Sequence, residues 1–166
     1  MTYYLIFKTP LGHMAVIYRA APFAVIKILL PSQDKQGIVH AVKAFGRHDI
    51  GFHDTAFRVK ESITDYFKGK PIRLQRGWLD LSSLTKLQQS VLERTAHIPY
   101  GGLKSYSDIA MAVGRPRAYR FVGTTLANNP FPILIPCHRV IRSDGSLGGF
   151  GGGSDLKRKL IELEAG

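Results

Sequence analysis

Between Asn129 and Gly151 the chain reads NPFPILIPCHRVIRSDGSLGGFG, and no long helix or regular strand can cross it. Prolines stand at 130, 132 and 136, and each fixes φ and removes a backbone donor. Glycines at 145, 148, 149 and 151 permit turns that other residues resist. Any fold containing this stretch must hold it as rigid, irregular chain between regular elements on either side. It also carries the chain's one cysteine, Cys137, followed directly by His138 and Arg139.

A single cysteine excludes an internal disulfide and a multi-cysteine zinc site. It fits a reducing compartment, where a free thiol survives. There is no apolar run of about 18 residues. The greasiest stretch, Phe23–Leu30, has strand length and contains Lys27. The opening MTYYLIFKTP lacks a basic segment followed by an apolar core, so no signal peptide is expected. These features predict a soluble, cytoplasmic protein, associated with the nucleoid in a prokaryote. The chain has 166 residues, 45% of them hydrophobic, enough for one substantial core or two small ones.

Two units are expected. Thr2–Lys8, His13–Arg19 and Phe23–Leu30 read as strands rich in β-branched and aromatic residues, with TPLGH and AAP as turns. Asp34–Phe45 and Thr55–Phe67 have helical spacing. GKPIRLQRG then looks like a connection, so residues 1–76 form an α/β unit and 77–166 a second, mainly helical one. In the second unit, SSLTKLQQSVLERTAHI reads as a helix capped by Ser82 or Ser83, ended by PYGG. SYSDIAMAVG follows as a short helix with Ser105 as N-cap and Asp108 in its first turn, ended by Gly114. RPRAYRFVGTTLAN restarts as a helix with Pro116 at an early position. Two short helices split by a glycine turn have the pattern of a helix-turn-helix, a weak signal by itself.

Net charge is +11, and a basic surface favours polyanions, of which nucleic acid is the commonest in cells. Between Arg94 and Arg142 there are seven basic residues and one acid, Asp108. Arg115, Arg117 and Arg120 fall at the expected start of the second short helix, where free N–H groups and the helix dipole also favour phosphate. A solvated arginine face would look the same. The arginines after a helix-turn-helix pattern make DNA the better reading.

A thiolate, not a thiol, is the nucleophile, and cationic or hydrogen-bonding neighbours stabilise it. In an extended segment adjacent side chains point to opposite sides, so His138 need not touch the Cys137 sulfur; one water between them would serve. Taken alone, a cysteine in ILIPC is more often a small buried hydrophobe.

IPYGGLKSY, RAYRFVGTTLANNPFPILIPCHRVI, SLGGFGGG and the closing LIELE together resemble the O6-alkylguanine-DNA alkyltransferase family, matching without gaps from Ile98 to Glu164. The string PCHRV, Pro136–Val140 here, is that family's hallmark. The resemblance implies a ribonuclease H-like N-terminal domain with a small antiparallel sheet, followed by a winged helix-turn-helix domain. It implies irreversible, single-turnover transfer of an alkyl group from guanine O6 in duplex DNA to Cys137, with O4-alkylthymine open as a second substrate. His138 matches the base that activates the thiol through water, Glu164 the carboxylate that orients the histidine, and Asn129 the brace of the active-site turn. Tyr106 matches the tyrosine that hydrogen-bonds the purine and displaces the neighbouring phosphate. Arg120 matches the finger that fills the gap left by the flipped base.

Ala118, Gly123 and Ala127 are small, which suits close backbone approach to a groove, and the resemblance implies that this is the minor groove. The purine would be read by the carbonyls of Cys137 and Val140 and by amides near Phe150 and Gly151, with Pro132 walling the alkyl side. Phe150 and Gly151 stand where better-known relatives can carry tyrosine and serine. No cofactor is implied. Some family members hold a structural zinc, but this chain lacks the N-terminal cysteines, and His40, His48 and His53 are poorly spaced surface candidates, so no metal is expected. A monomer is expected. Three rivals share parts of the pattern: an alkyltransferase-like lesion binder, which would lack Cys137; a cysteine hydrolase, which would turn over; and a winged-helix regulator, which would need no nucleophile.

Overall fold

Runs of β-branched and aromatic residues put the first three segments into antiparallel strands, β1 (Thr2–Thr9), β2 (Gly12–Ala20) and β3 (Phe23–Ser32), in the order β1-β2-β3. The computed structural model describes residues 2–45 and 53–166. The central strand carries the core, with Met14 to Tyr18 at most 1% exposed. Ala15 and Ile17 pack with Ile38 and Val42 of α1 (Lys35–Lys43), whose N-cap Asp34 accepts from the Gly37 N–H. Met14, Val16 and Tyr18 alternate to the other side. There the Tyr18 ring lies 5.8 Å from that of His53, the residue that opens α2 (Asp54–Tyr66). Each fully buried Val or Ile here contributes about 1.5–3 kcal/mol by leaving water.

The chain divides into units Met1–Asp80 and Leu81–Gly166. Gly77–Asp80, read from sequence as the start of the second unit, belongs with the first: the Asp80 N–H donates to the Val25 carbonyl at 2.9 Å and Trp78 is buried. Asp80 also holds Arg19 of β2 at 3.0 Å.

In the second unit, α3 (Lys86–Ala96) begins at Thr85, not at Ser82 or Ser83. Thr85 and Gln88 form a reciprocal capping box, which satisfies two backbone donors and outcompetes a lone serine cap. Ser105 and Asp108 make the same box at the start of α4 (Tyr106–Ala112). α5 is Tyr119–Ala127. Arg115 and Arg117 therefore lie before the helix rather than on its first turn. Pro116 sits in a tight turn closed by the Ala118 N–H on the Arg115 carbonyl at 2.8 Å, the turn position that a fixed φ suits. Two short parallel strands, β4 (Lys104–Ser105) and β5 (Val140–Ile141), join the start of α4 to the segment after Cys137. α6 (Ser154–Ala165) ends the unit. Among the described residues no helix is long and apolar enough to cross a membrane.

Candidate active site

Ten consecutive residues, Phe131–Val140, are buried. Buried backbone must find partners, and the prolines reduce the demand because Pro132 and Pro136 have no N–H. Asn129 meets much of the rest. Its Nδ2 donates to the Ile135 carbonyl at 3.0 Å, and its Oδ1 accepts from the Phe131 N–H at 2.9 Å. The Ile135 N–H donates to the Phe131 carbonyl, and the Cys137 N–H to the Ile135 carbonyl, both at 2.8 Å. This tight path holds Ile133 at φ 73°, where a β-branched residue costs about 1–3 kcal/mol.

Cys137–Arg139 form one turn of 3-10 helix, not the extended segment considered from sequence. All three are buried, and the side chains of His138 and Arg139 both reach Glu164. Burial pushes the Cys137 thiol up, and the Asn129 side chain, the Lys157 charge and nearby backbone N–H groups act against that rise.

His138 is fully buried and its Nε2 meets Glu164 Oε2 in a very short contact. The other carboxylate oxygen, Oε1, accepts from Arg139 Nε at 2.6 Å and from the Gly101 N–H at 3.4 Å. Arg139 also donates to the Ile98 carbonyl at 2.7 Å and stacks over Tyr100. Burial would raise the Glu164 carboxyl, but its bonds to His138 and Arg139 hold it below the usual carboxylate range. Burial holds His138 below the usual imidazole value, against the pull of Glu164. The pair is thus a carboxylate beside a neutral ring. A carboxylate only accepts, so the ring carries its proton on Nε2 and its lone pair on Nδ1. Such a ring is set up to take a proton.

Tyr106, half-buried at the first position of α4, donates to the Gly149 carbonyl at 3.4 Å. Its hydroxyl pKa is raised by burial and then by the Cys137 charge, so the hydroxyl keeps its proton and stays a donor. Its ring lies against α5: a Cβ at Gly123 would come 3.9 Å from it. On the other side Gly148, at φ 74°, leaves no room, since a Cβ there would fall 2.6 Å from the Tyr106 oxygen. Gly148→Ala is therefore expected to displace Tyr106, costing about 1–2 kcal/mol of stability from the left-handed backbone alone, read by denaturant unfolding.

The structure brings Asn129, Cys137, His138, Glu164, Tyr106 and Val140 into one hydrogen-bonded region. Pro132 is buried with them. Arg120, Gly123 and Ala127 lie one and two turns apart on α5, with Arg120 and Ala127 exposed and Val122 and Leu126 buried on the opposite side. Arg115 and Arg117 are exposed in the preceding turn, next to Ala118. Phe150 and Gly151 lie in the glycine turn before α6. The Val140 carbonyl, expected to face a purine, accepts here from Lys157 Nζ at 2.7 Å. Sequence reasoning missed Arg139 and Lys157. The available signal was the spacing of Lys157, Leu160 and Glu164, which puts two charges on the buried stripe of α6. Of the histidines weighed for metal, His40 is exposed, His53 stacks on Phe23 at 4.8 Å rather than standing free at the surface, and His48 lies outside the described residues. Among the described residues no three His, Cys, Asp or Glu side chains cluster closely enough to hold a metal ion.

The model of the 6-O-methylguanine DNA methyltransferase DNA-binding domain matches residues 86–166, from α3 through α6. The crystal structure of Mycobacterium tuberculosis O6-methylguanine methyltransferase superposes with a TM-score of 0.81 and 32% identity over 99% of this chain and 93% of that one. The chain belongs to the O6-methylguanine methyltransferase family. A second Mycobacterium tuberculosis structure of that family, in complex with DNA, superposes with a TM-score of 0.77 and 31% identity, covering 98% of this chain and 92% of that one. The methylated-DNA–protein-cysteine methyltransferase of Methanosarcina barkeri is 50% identical over 80 residues, 48% of this chain. That match spans 51% of the relative's length. Every methyltransferase site residue proposed from sequence lies within the matched 86–166 segment.

Proposed function

We propose that this protein repairs DNA by moving an alkyl group from O6 of guanine to Cys137, once per molecule. The observation that carries the reading is the arrangement of one buried cysteine, a buried histidine whose ring meets the Glu164 carboxylate, and a half-buried tyrosine that donates from the start of α4. Membership of the family, and a relative in complex with DNA, support it.

The reaction is a displacement at carbon. The thiol loses its proton to His138, through an intervening water. The sulfur lone pair forms an S–C bond, the C–O6 bond breaks, and its electrons stay on the guanine. The leaving purine is stabilised by hydrogen bonding from Tyr106. Glu164 fixes the histidine tautomer and stabilises the imidazolium that forms, as in hydrolytic triads. Nothing then cleaves the thioether, so the protein is consumed.

A sulfur buried in the protein cannot reach O6 inside a stacked duplex, so the base must be rotated out, at a cost of a few kcal/mol. Arg120, exposed on α5, would enter the duplex, with Ala118, Gly123 and Ala127 allowing α5 to lie close to the minor groove. Arg115 and Arg117 would meet phosphate from the turn. The same reading gives a ribonuclease H-like first unit and a winged helix-turn-helix second unit, in a monomer acting in the cytoplasm. Cys137 disfavours a lesion binder without chemistry, and one-time modification would distinguish the protein from a hydrolase.

The deciding experiment is intact mass before and after exposure to duplex DNA carrying O6-methylguanine. A permanent gain of one methyl group per protein is expected. An unchanged mass with the lesion still in the DNA overturns the proposal. Arg120→Ala should slow transfer on duplex by on the order of tenfold or more, with less effect on a single-stranded substrate, because its work is in extruding the base.

A further inference from the structure

We propose that Tyr119 is a base-stacking residue: its exposed ring lies against the bases that border the gap when the damaged guanine rotates out, so that it and Arg120 hold the duplex open together. The inference rests on the reading of Cys137 as alkyl acceptor and extends it to a side chain that meets the DNA beside the lesion.

Two aromatics flank Arg120 in the first turn of α5. Phe121 is half-buried and anchors the helix. Tyr119 is 47% exposed, more than Phe45 or Phe57, the other exposed aromatics among the described residues. Its side chain makes no hydrogen bond or ring contact with any described residue. A single exposed aromatic is ordinary on a protein surface, so its placing and its neighbours carry the argument.

Residues four apart on a helix share one ridge. Tyr119, Gly123 and Ala127 form such a ridge on α5. Two of its three members are small, and a Cβ at Gly123 would come 3.9 Å from the Tyr106 ring. The ridge therefore runs past Tyr106, and Tyr119 stands one turn beyond, about 6 Å along the helix axis. The small residues let the helix settle close to a groove, and the tyrosine is what projects at its leading end. Around that ring the charge is all of one sign. Arg115, Arg117 and Arg120 are exposed, and their guanidinium groups pair with no described residue. The first turn of α5 has no acid, although a helix N-terminus favours one. Asp108, the one acid between Arg94 and Arg142, is engaged with Ser105. A free π face set among unpaired cations suits a polyanion that also presents π faces, which is a nucleic acid with unstacked bases. Every base has such a face, so the contact is indifferent to sequence, and an inserted ring compensates for part of the stacking lost at the opened step.

The test uses Tyr119→Ala, which removes the ring, and Tyr119→Phe, which removes only the hydroxyl. Three readouts are taken: the single-turnover rate of methyl transfer from duplex DNA with O6-methylguanine, the preference for a duplex with an abasic site over an intact one across a salt series, and the rate of Cys137 alkylation by iodoacetamide. The abasic duplex presents a gap without any chemistry. Tyr119→Ala should slow transfer on the order of tenfold and reduce the abasic preference by a similar factor. Its salt slope should match the parent's, because no phosphate contact is lost. Its iodoacetamide rate should also match, because the acceptor site is intact. Tyr119→Phe should restore most of the transfer rate and of the abasic preference. An unchanged abasic preference in Tyr119→Ala overturns the proposal. So does a Tyr119→Phe protein as impaired as Tyr119→Ala, which would assign the effect to the hydroxyl, or a parallel loss of iodoacetamide reactivity, which would assign it to the fold. If the parent takes no methyl group from DNA, the repair reading fails instead, and the abasic arm still decides the role of Tyr119.

Discussion

Cys137→Ser is expected to take up no alkyl group while binding duplex DNA about as well as the parent. Serine keeps the shape of the site and the Asn129 contact, but an alcohol at neutral pH supplies almost no anion and is a hard nucleophile, poorly matched to a saturated carbon. DNA affinity should persist because it comes mainly from phosphate contacts by basic side chains, and Cys137 is buried, with only 6% of its surface exposed. Intact mass reads the first expectation and a salt-titrated binding assay the second. A Cys137→Ser protein that still gained a methyl group would mean that another side chain is the acceptor.

The second large effect is on stability. Glu164→Ala should lower the stability of the second unit by about 3–5 kcal/mol, because it leaves Arg139 and His138 buried without their partner. For a protein of this size that corresponds to a fall in Tm of about 6–20 °C. Glu164→Gln keeps most of the hydrogen-bonding shape and should cost less, about 1–3 kcal/mol, yet it still slows transfer, because a neutral amide cannot stabilise an imidazolium. The acid limb of stability separates the two roles. A carboxyl whose folded pKa is depressed stabilises the fold fully above its ordinary value and loses that contribution as pH falls through the depressed one. The parent should therefore lose stability below the ordinary carboxylate range in a step that Glu164→Gln lacks. An identical acid limb in both proteins would show that Glu164 is not held as an anion.

Much of this arrangement was legible in the chain. The three strands are written in β-branched and aromatic runs, and the Ser105–Asp108 box marks the start of α4 directly. The misreadings have definite causes. Thr85 won the α3 cap because Gln88 reciprocates, which Ser82 and Ser83 cannot arrange at that spacing. Arg115 and Arg117 left the helix because Pro116 suits a tight turn as well as a first helical position. The 3-10 turn at Cys137 has no periodic signature, being three residues long. Arg139 and Lys157 stayed hidden because binary patterning assigns charge to the surface, and their burial depends on carbonyls supplied by Ile98, Val140 and Gly149, far apart along the chain.

The segment that carries Cys137 and the segment that lies against Tyr106 are built from opposite materials. Phe131–Val140 is packed on every residue, strained at Ile133 and stiffened by two prolines, while Gly148–Gly153 is open, glycine-rich and touches the sulfur's surroundings through Tyr106. On the proposed alkyl-transfer reading, a bulkier substituent would meet give on the glycine side and none on the proline side, so the upper size of an accepted group would be set by the glycines.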